Sequence, residues 1–184
     1  MSMRQLISEC LLKNRALVSS EMTWCFERLA KELPMTLHRY PTGKEYATWV
    51  IPPRWDVKKA LLSDGTRVLA SYEEHPLFLA PYSCSFTGWV EREELLKHVR
   101  TQPETPDAYV YEYRVAMDFQ RRMKEWRLSL PYARVQQLTA PKYFVDIQVE
   151  TAPDEMLVGE SVIRGQYDYT FAFLSHLCHT GQAN

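Results

Sequence analysis

The chain has 184 residues, of which 46% are hydrophobic, and its formal net charge at pH 7 is −1. The length suits one domain or one domain with an insertion, and the apolar fraction is that of a globular rather than a disordered protein. Its lysines and arginines are scattered and form no basic patch for nucleic acid or anionic lipid. We therefore expect neither nucleic acid nor a membrane as a partner.

The chain ends and the cysteines indicate a cytoplasmic protein. No apolar run approaches the ~20 residues of a membrane span, and the N-terminal sequence MSMRQLISECLLKNR is too charged for a signal peptide. The four cysteines lie far apart without a CxxC motif: Cys10, Cys25, Cys84 and Cys178. This spacing favours reduced thiols over a disulfide framework or a structural zinc site.

Residues 1–35 predict a helical hairpin. Apolar residues recur with helical spacing in a first segment, at Leu6, Ile7, Leu11 and Leu12, and in a second, at Met22, Cys25, Phe26, Leu29 and Leu33. Ser19 or Ser20 is a suitable N-cap for the second helix, and Pro34 ends it. Both apolar stripes are expected to face the core.

Residues 36–135 are rich in β-branched and aromatic residues and read as several short strands. Asp64-Gly65 predicts a two-residue hairpin turn, and EREELLKHVR at residues 91–100 predicts one helix. Pro131 suits the first turn of another short helix. Strands at spacings near ten residues favour a small β-sandwich or barrel.

Residues 136–184 read as sheet strands. KYFVDIQVE alternates between apolar and polar residues, and EMLVGESVIRG follows a turn at Pro153-Asp154, so the two predict an antiparallel hairpin. YTFAFLSHLC, residues 169–178, is nearly continuous in its apolar character. Such a run is typical of a strand covered on both faces.

The clearest candidate site follows that last strand, where His176, Cys178 and His179 lie together. Imidazole and thiol groups are common transition-metal ligands. His176 and His179 would face opposite sides of a continuing strand, so they could share an ion only if the chain turns between them. A strand end with a surface histidine and an inert, buried cysteine would show the same pattern.

Other candidates are less specific. Asp56 and the run Glu73-Glu74-His75 have the chemistry of acid–base groups, although isolated acids in turns are usually solvated surface. Trp49, Trp55, Trp89 and the tyrosines of YVYEY could form a sugar-stacking face, although the same residues suit the core of a small sandwich. No catalytic residue is assigned from the sequence.

Three stretches together resemble a bacterial aminopeptidase-like family of the di-zinc exopeptidase type. YPTGKEYATWVIPPRW carries the family's spacing of Trp49, Pro52 and Trp55 after Thr42-Gly43. EELLKHVRTQPETPDAYVYEY resembles a second family passage, and FLSHLCHTGQAN resembles its metal motif Cys-His-Pro-x-x-Ala-Asn-Asp. Thr180-Gly181 departs from that motif, because the family has proline and a small residue there.

The resemblance implies an α+β or α/β fold: a partial mixed-sheet exopeptidase-like core with a small inserted β-sandwich-like domain of unknown function. Residues 1–35 and 136–184 would belong to the core, and residues 36–135 would be the insertion. It implies zinc as the cofactor of the complete family fold, with His179 as a ligand and His176 as the alternative. The bridging aspartate, the later ligands and the catalytic glutamate would follow Asn184, so we expect little tightly bound zinc and no hydrolysis by this chain alone.

Two hypotheses about function remain. In the first, the chain is the N-terminal portion of a zinc-dependent aminopeptidase-like metallohydrolase and associates with itself or with a complementary chain through its last strand. In the second, it is a self-standing β-rich binding or assembly module without catalytic activity. The first predicts uncovered apolar surface, and the second predicts a closed and well-packed unit.

Overall fold

The computed structural model describes residues 2–47, 49–112 and 124–178, and it is a mixed α+β structure, as the sequence predicts. The helices are α1 Met3–Leu11, α2 Ser20–Ala30, α3 Arg92–Lys97 and α4 Tyr132–Val135, with a 3-10 turn at Pro76–Phe78. The strands are β1 Thr36–Pro41, β2 Glu45–Tyr46, β3 Trp49–Val50, β4 Arg54–Ser63, β5 Val68–Ser71, β6 Phe86–Glu91, β7 Val99–Arg100, β8 Leu128–Ser129, β9 Lys142–Ala152 and β10 Glu155–Glu160. No helix in the described ranges is both long and apolar enough to span a membrane.

The main sheet has four antiparallel strands in the order β5-β4-β9-β6. Leu62 of β4 and Gly88 of β6 both lie opposite Val145 of β9, which places β9 at the centre. One face of the sheet is apolar and packs on the core, where Val145 and Ile147 are fully buried. The other face, which carries alternate residues of the same strands, is polar and partly aromatic.

The predicted hairpin of β9 and β10 is wrong. β9 uses one edge to pair with β4 and the other to pair with β6, so it has no edge left for β10. β10 pairs instead with β1, at the other end of the sequence. β9, which was expected to begin a separate core sheet, therefore completes the sheet of the predicted insertion. The main sheet thus contains strands from both sides of the predicted boundary at residue 136. The division into 1–35, 36–135 and 136–184 stays a prediction.

The hairpin predicted at Asp64-Gly65 is confirmed, with a longer loop. β4 ends at Ser63 and β5 begins at Val68, so the loop contains residues 64–67. The Asp64 carboxylate accepts hydrogen bonds from Thr66, both N–H and hydroxyl, and from the Arg67 N–H. These bonds stabilise the ionised form and hold the pKa of Asp64 well below its usual range.

The two N-terminal helices form where the sequence predicts them. Ser2 and Gln5 make a capping box for α1, and the Ser19 hydroxyl accepts from the Met22 N–H at 3.1 Å as the N-cap of α2. The core-facing stripe predicted for α1 is wrong, because Ile7 and Leu12 are both more than half exposed. In α2 the stripe is buried at Met22 and Cys25 and half-buried at Phe26 and Leu29, whereas Leu33, after the helix, is 42% exposed.

The strand predicted at residues 169–178 is absent from the described structure. The segment after β10, residues 161–178, has no helix or strand, and Phe173 and Leu174 are 95% and 97% exposed. The chain bends at residues 166–168, and aromatic rings there contact one another, Tyr167 with Tyr169 at 5.5 Å and Tyr169 with Phe171 at 5.4 Å. No described strand pairs with it, which is why its apolar side chains are not buried.

Candidate functional site

The sequence-predicted metal ligands lie at the end of the exposed segment 161–178. His176 is described and exposed, and the chain bends at Leu177, between His176 and His179. His179 lies outside the described residues. The pairing of these two imidazoles on one ion therefore stays a prediction. Among the described residues, no group of three or more His, Cys, Asp and Glu side chains is arranged to hold a metal.

Cys178 lies at the end of the segment 161–178 and is less exposed than the residues before His176. It is half-buried, and burial raises the pKa of its thiol, although the nearby positive charge of Arg15 partly offsets this effect. The pKa of Tyr82 is also raised, mainly by burial, and Cys178 contributes to that shift. A thiol with a raised pKa stays protonated at neutral pH, so this environment does not favour Cys178 as a metal ligand.

Arg15 belongs to the loop between α1 and α2, which is unusually buried for a connection. Arg15 and Asn14 are each only 6% exposed. The Asn14 side chain donates to the carbonyl of Trp55 at 3.1 Å and accepts from the Ala16 N–H at 3.1 Å. The Asn14 main chain donates to Glu21 and accepts from the Ser19 hydroxyl, both at 2.6 Å. One asparagine therefore fixes the loop to β4 and to the start of α2.

Tyr82 fixes the same loop from the opposite side. Its hydroxyl accepts from the Val18 N–H at 3.1 Å, and its ring lies 5.9 Å from that of Trp55. Tyr82 has a φ of 59°, a left-handed conformation that a bulky side chain adopts only where its surroundings require it. The loop and Tyr82 thus form a buried region, which we call the junction, and the half-buried Cys178 lies close enough to interact electrostatically with Arg15 and Tyr82.

The acid–base candidates Glu74 and His75 are occupied by structural contacts. Glu74 forms a bidentate ion pair with Arg134, which lowers the pKa of Glu74. His75 accepts from the Leu77 N–H at 3.1 Å to cap the 3-10 turn, and its ring stacks on Tyr109 at 4.7 Å. Burial lowers the pKa of His75, so the ring is neutral at pH 7. The neighbouring Glu73 is exposed.

Arg134 also lines a groove of about 270 Å³ between the β4–β5 hairpin and α4. Asp64 and Arg67 line the opposite wall. Both charged pairs are internally compensated, since Arg67 binds Asp64 as Arg134 binds Glu74. The groove therefore offers little net charge to a ligand.

Asp56 is also structural. Its carboxylate accepts from the Ser20 N–H at 2.9 Å and from the Ser20 hydroxyl at 2.7 Å, and it pairs with Arg54 at 3.1 Å. These bonds satisfy a main-chain donor at the start of α2 and join that helix to β4. The arrangement leaves Asp56 without the freedom that a proton-transfer group requires.

The tryptophans named in the sequence analysis separate into different environments. Trp55 is 1% exposed and its indole N–H donates to the Ser83 carbonyl at 2.9 Å, so it belongs to the core. Trp49 on β3 is 38% exposed and Trp89 on β6 is 51% exposed. A single sugar-stacking face made of all three is therefore wrong, because Trp55 is enclosed.

Sequence reasoning missed the residues that build the junction. Asn14 and Arg15 stand in a short polar stretch that reads as an ordinary surface loop, and Tyr82 follows a proline in another loop. The only local signal was Ser19, which was recognised as a cap. Burial of these residues depends on β4 and residues 80–83 packing on the loop, which no local pattern encodes.

Comparison with known proteins places this fold. The sequence model of one family, described as a domain of unknown function (DUF2172), matches residues 54–150, just over half of the chain. The match begins at the first residue of β4 and ends two residues before the end of β9, so it contains three strands of the main sheet and most of the fourth. The residues that match the family model thus correspond to the main sheet and the connections between its strands.

Two relatives from Clostridium acetobutylicum are similar over most of this chain. A protein named "Putative polysaccharide biosynthesis protein with aminopeptidase-like domain" is 23% identical over 181 residues, which are 97% of this chain and 40% of the relative. A crystal structure of a "putative peptidase" superposes with a TM-score of 0.75 at 21% identity, covering 89% of this chain and 37% of the other. The chain thus spans about 40% of the length of the curated relative it matches. The structural likeness shows the fold, and the matched residues show that the chain belongs to the family of the domain of unknown function DUF2172.

Proposed function

We propose that this chain forms the N-terminal part of an aminopeptidase-like metallohydrolase that cleaves peptide or amide bonds. Three findings support the proposal: the aminopeptidase-like domain named in the first relative, the peptidase named in the second, and the similarity of the fold. The main sheet would be an accessory domain, and the segment 161–178 would lead into the catalytic core.

Zinc is the metal we propose for that core, with His179 as a ligand and His176 as the alternative. A catalytic zinc takes about three protein ligands and an open position, where it activates a water molecule. The described residues contribute one exposed imidazole at this place, and the Cys178 thiol is protonated. They do not form a complete zinc site by themselves. We propose that the remaining ligands and the catalytic glutamate come from polypeptide outside these 184 residues.

One observation carries the proposal: the segment 161–178 exposes a nearly continuous run of apolar side chains that no described strand covers. Phe171, Phe173 and Leu174 are 75%, 95% and 97% exposed. Burying each would contribute roughly 1.5–3 kcal/mol, a large share of the ~5–15 kcal/mol stability of a typical domain. An unpaired apolar strand also readily pairs with another chain. We propose that this segment pairs with a second copy of the chain or with a complementary chain that carries the rest of the active site.

Zinc binding by the purified chain tests the assignment of the ligand. We expect less than one zinc per chain by elemental analysis, and competition with a chromophoric chelator should give a dissociation constant weaker than about 1 μM. His179→Ala should weaken this binding further, while His176→Ala should have the smaller effect. His38→Ala is the matched control, because His38 is an exposed histidine on β1 that pairs with Glu160 at 2.9 Å. One tightly bound zinc per isolated chain, or unchanged binding in His179→Ala, would contradict the proposal.

A further inference from the structure

The outer face of the main sheet, opposite the core, carries an exposed aromatic surface beside a row of polar side chains. We use "outer face" for Trp89 and Thr87 of β6, Phe144 and Asp146 of β9, and Lys59 of β4. Trp89 lies opposite Phe144 in the ladder, and Thr87 lies opposite Asp146. The aromatic row and the polar row are therefore two residues apart, which is about 7 Å along a strand. This spacing is close to the length of one sugar ring.

The Trp89 indole lies along the sheet surface. Its ring centroid is 5.6 Å from that of Phe144 on the neighbouring strand. Its Cη2 atom would be 2.7 Å from a Cβ placed at Gly65, in the hairpin on the far side of β9. Because adjacent strands are about 4.8 Å apart, a side chain that starts on β6 and reaches the β4–β5 loop must cross β9 rather than stand up from the sheet. With 51% of the residue exposed, part of the indole surface remains open to solvent.

The polar row is organised around Asp146. Its carboxylate accepts from Lys59 at 2.6 Å, from the Thr87 hydroxyl at 2.9 Å and from the Gln148 amide at 3.1 Å. Lys59 lowers the pKa of Asp146, so the carboxylate remains ionised and keeps these groups in place. The Lys59 ammonium retains N–H groups that its pairing with Asp146 does not use, and the Thr87 hydroxyl can also accept a hydrogen bond. Fixed donors therefore lie beside the aromatic surface.

Lys142 gives the aromatic end of the outer face a positive charge. Its Nζ atom lies 5.1 Å from the centroid of the Trp89 ring. Among the described residues Lys142 makes no ion pair, whereas Lys59 is neutralised by Asp146. Glu91 lies opposite Lys142 in the ladder and limits the net positive charge at this end of the outer face, but no described carboxylate lies within ion-pair distance of Lys142, so its ammonium can pair with a carboxylate on a ligand. A nucleic acid is disfavoured, because the chain has a net charge of −1 and no cluster of basic residues to follow a phosphate backbone.

We propose that the outer face binds an acidic saccharide that carries a carboxylate, such as a hexuronate unit. The apolar C–H face of the sugar ring stacks on Trp89, since aromatic rings bury apolar surface at little entropic cost. The carboxylate pairs with Lys142, and the hydroxyl groups bond to the polar row around Asp146. This site does not depend on the proposed peptidase function.

Binding of an α-1,4-linked tetragalacturonate tests the proposal, and its methyl ester is the uncharged comparison. Titration followed by amide shifts in two-dimensional NMR should move the signals of Gly65, Thr87 and Gln148. We expect the acid to bind at least about tenfold more tightly than the ester, a difference near 1.4 kcal/mol. Lys142→Gln should remove this preference.

Two substitutions locate the site. Trp89→Ala should weaken binding of the acid at least about tenfold, while Trp49→Ala, at an exposed tryptophan on β3, should leave it unchanged. Thermal unfolding shows whether each variant is folded. If Trp89→Ala is not folded, the exposed Lys142→Gln decides the location. The proposal would be overturned if the acid does not bind at about 10 mM or if the ester binds equally well. Unchanged binding of the acid in the folded Trp89 or Lys142 variant would also overturn it.

Discussion

Gly65 allows a sharp test of the position of Trp89, because a second glycine of the same backbone class serves as its control. Gly65 has a φ of +93° and Gly43 has a φ of +81°. A Cβ at Gly65 would lie 2.7 Å from Trp89 Cη2, whereas a Cβ at Gly43 would meet nothing within 4 Å. Alanine is strained by the backbone at both positions, but only at Gly65 does it also collide with a side chain.

The magnitudes follow from these two contributions. The left-handed backbone should make Gly43→Ala cost about 1–2 kcal/mol of unfolding free energy. Gly65→Ala should cost this amount plus the displacement of the indole from Phe144, and such aromatic pairs contribute about 0.5–1.5 kcal/mol. We therefore expect a total loss of about 2–3 kcal/mol at Gly65. In a Trp89→Ala background the additional cost should disappear, leaving the backbone contribution alone.

Urea unfolding followed by far-ultraviolet circular dichroism measures all five proteins, the wild type, the three single variants and the double variant, without relying on tryptophan fluorescence. The midpoints should shift while the slope of free energy against urea stays constant, which shows that the unfolded state is unchanged. Equal losses for Gly65→Ala and Gly43→Ala would refute the reasoning. So would an excess loss at Gly65 that persists when Trp89 is absent, because the indole could not then be its cause.

Three further predictions concern the segment after β10, the outer face and the core. Phe173→Lys should reduce the size of the species seen by light scattering at some cost in thermal stability, because the exposed Phe173 is the surface that association would bury. A monomeric wild type with residues 169–175 protected from hydrogen exchange would favour the self-standing module instead. Lys59→Gln should raise the pKa of Asp146 toward the ordinary value near 4, which carboxyl-carbon NMR measures. Because the native pKa is depressed, the stability that this pair contributes should be present above about pH 4 and decline as pH falls further. An unshifted pKa of Asp146 would contradict the pairing. Trp55→Phe should cost about 2–3 kcal/mol in urea unfolding, because it opens space and leaves the Ser83 carbonyl without its indole donor; a loss below about 0.5 kcal/mol would show that the bond contributes little.

The candidate site was only partly predictable from the sequence. The run His176, Cys178 and His179 is visible in the sequence because metal-ligand residue types cluster within four positions, and its role as a metal site stays a prediction. Nothing local marks Arg15 as buried, because its burial comes from strands and loops far away in the chain. Trp89 was named as a possible stacking residue, but its separation from the enclosed Trp55 required the positions of the strands.

The sequence by itself determined the features that depend on a few neighbouring residues. The N-cap at Ser19 needs only a hydroxyl beside free N–H groups, and the β4–β5 turn needs the Asp64 carboxylate and a glycine that tolerates a positive φ. The short helices α3 and α4 and the mixed α+β class follow from similar local patterns. These interactions connect residues within four positions, so the pattern and the structure coincide.

Only the tertiary structure decided which strands pair and which apolar surfaces are covered. Alternation in β9 showed that it is a strand, but its partners β4 and β6 lie 50 or more residues earlier, and both edges are taken before β10 can use one. The apolar runs in α1 and in residues 169–174 likewise showed a capacity for burial without specifying a partner. Hydrophobic burial is non-directional, so a sequence pattern identifies a surface to be covered, and only the assembled chain shows what covers it.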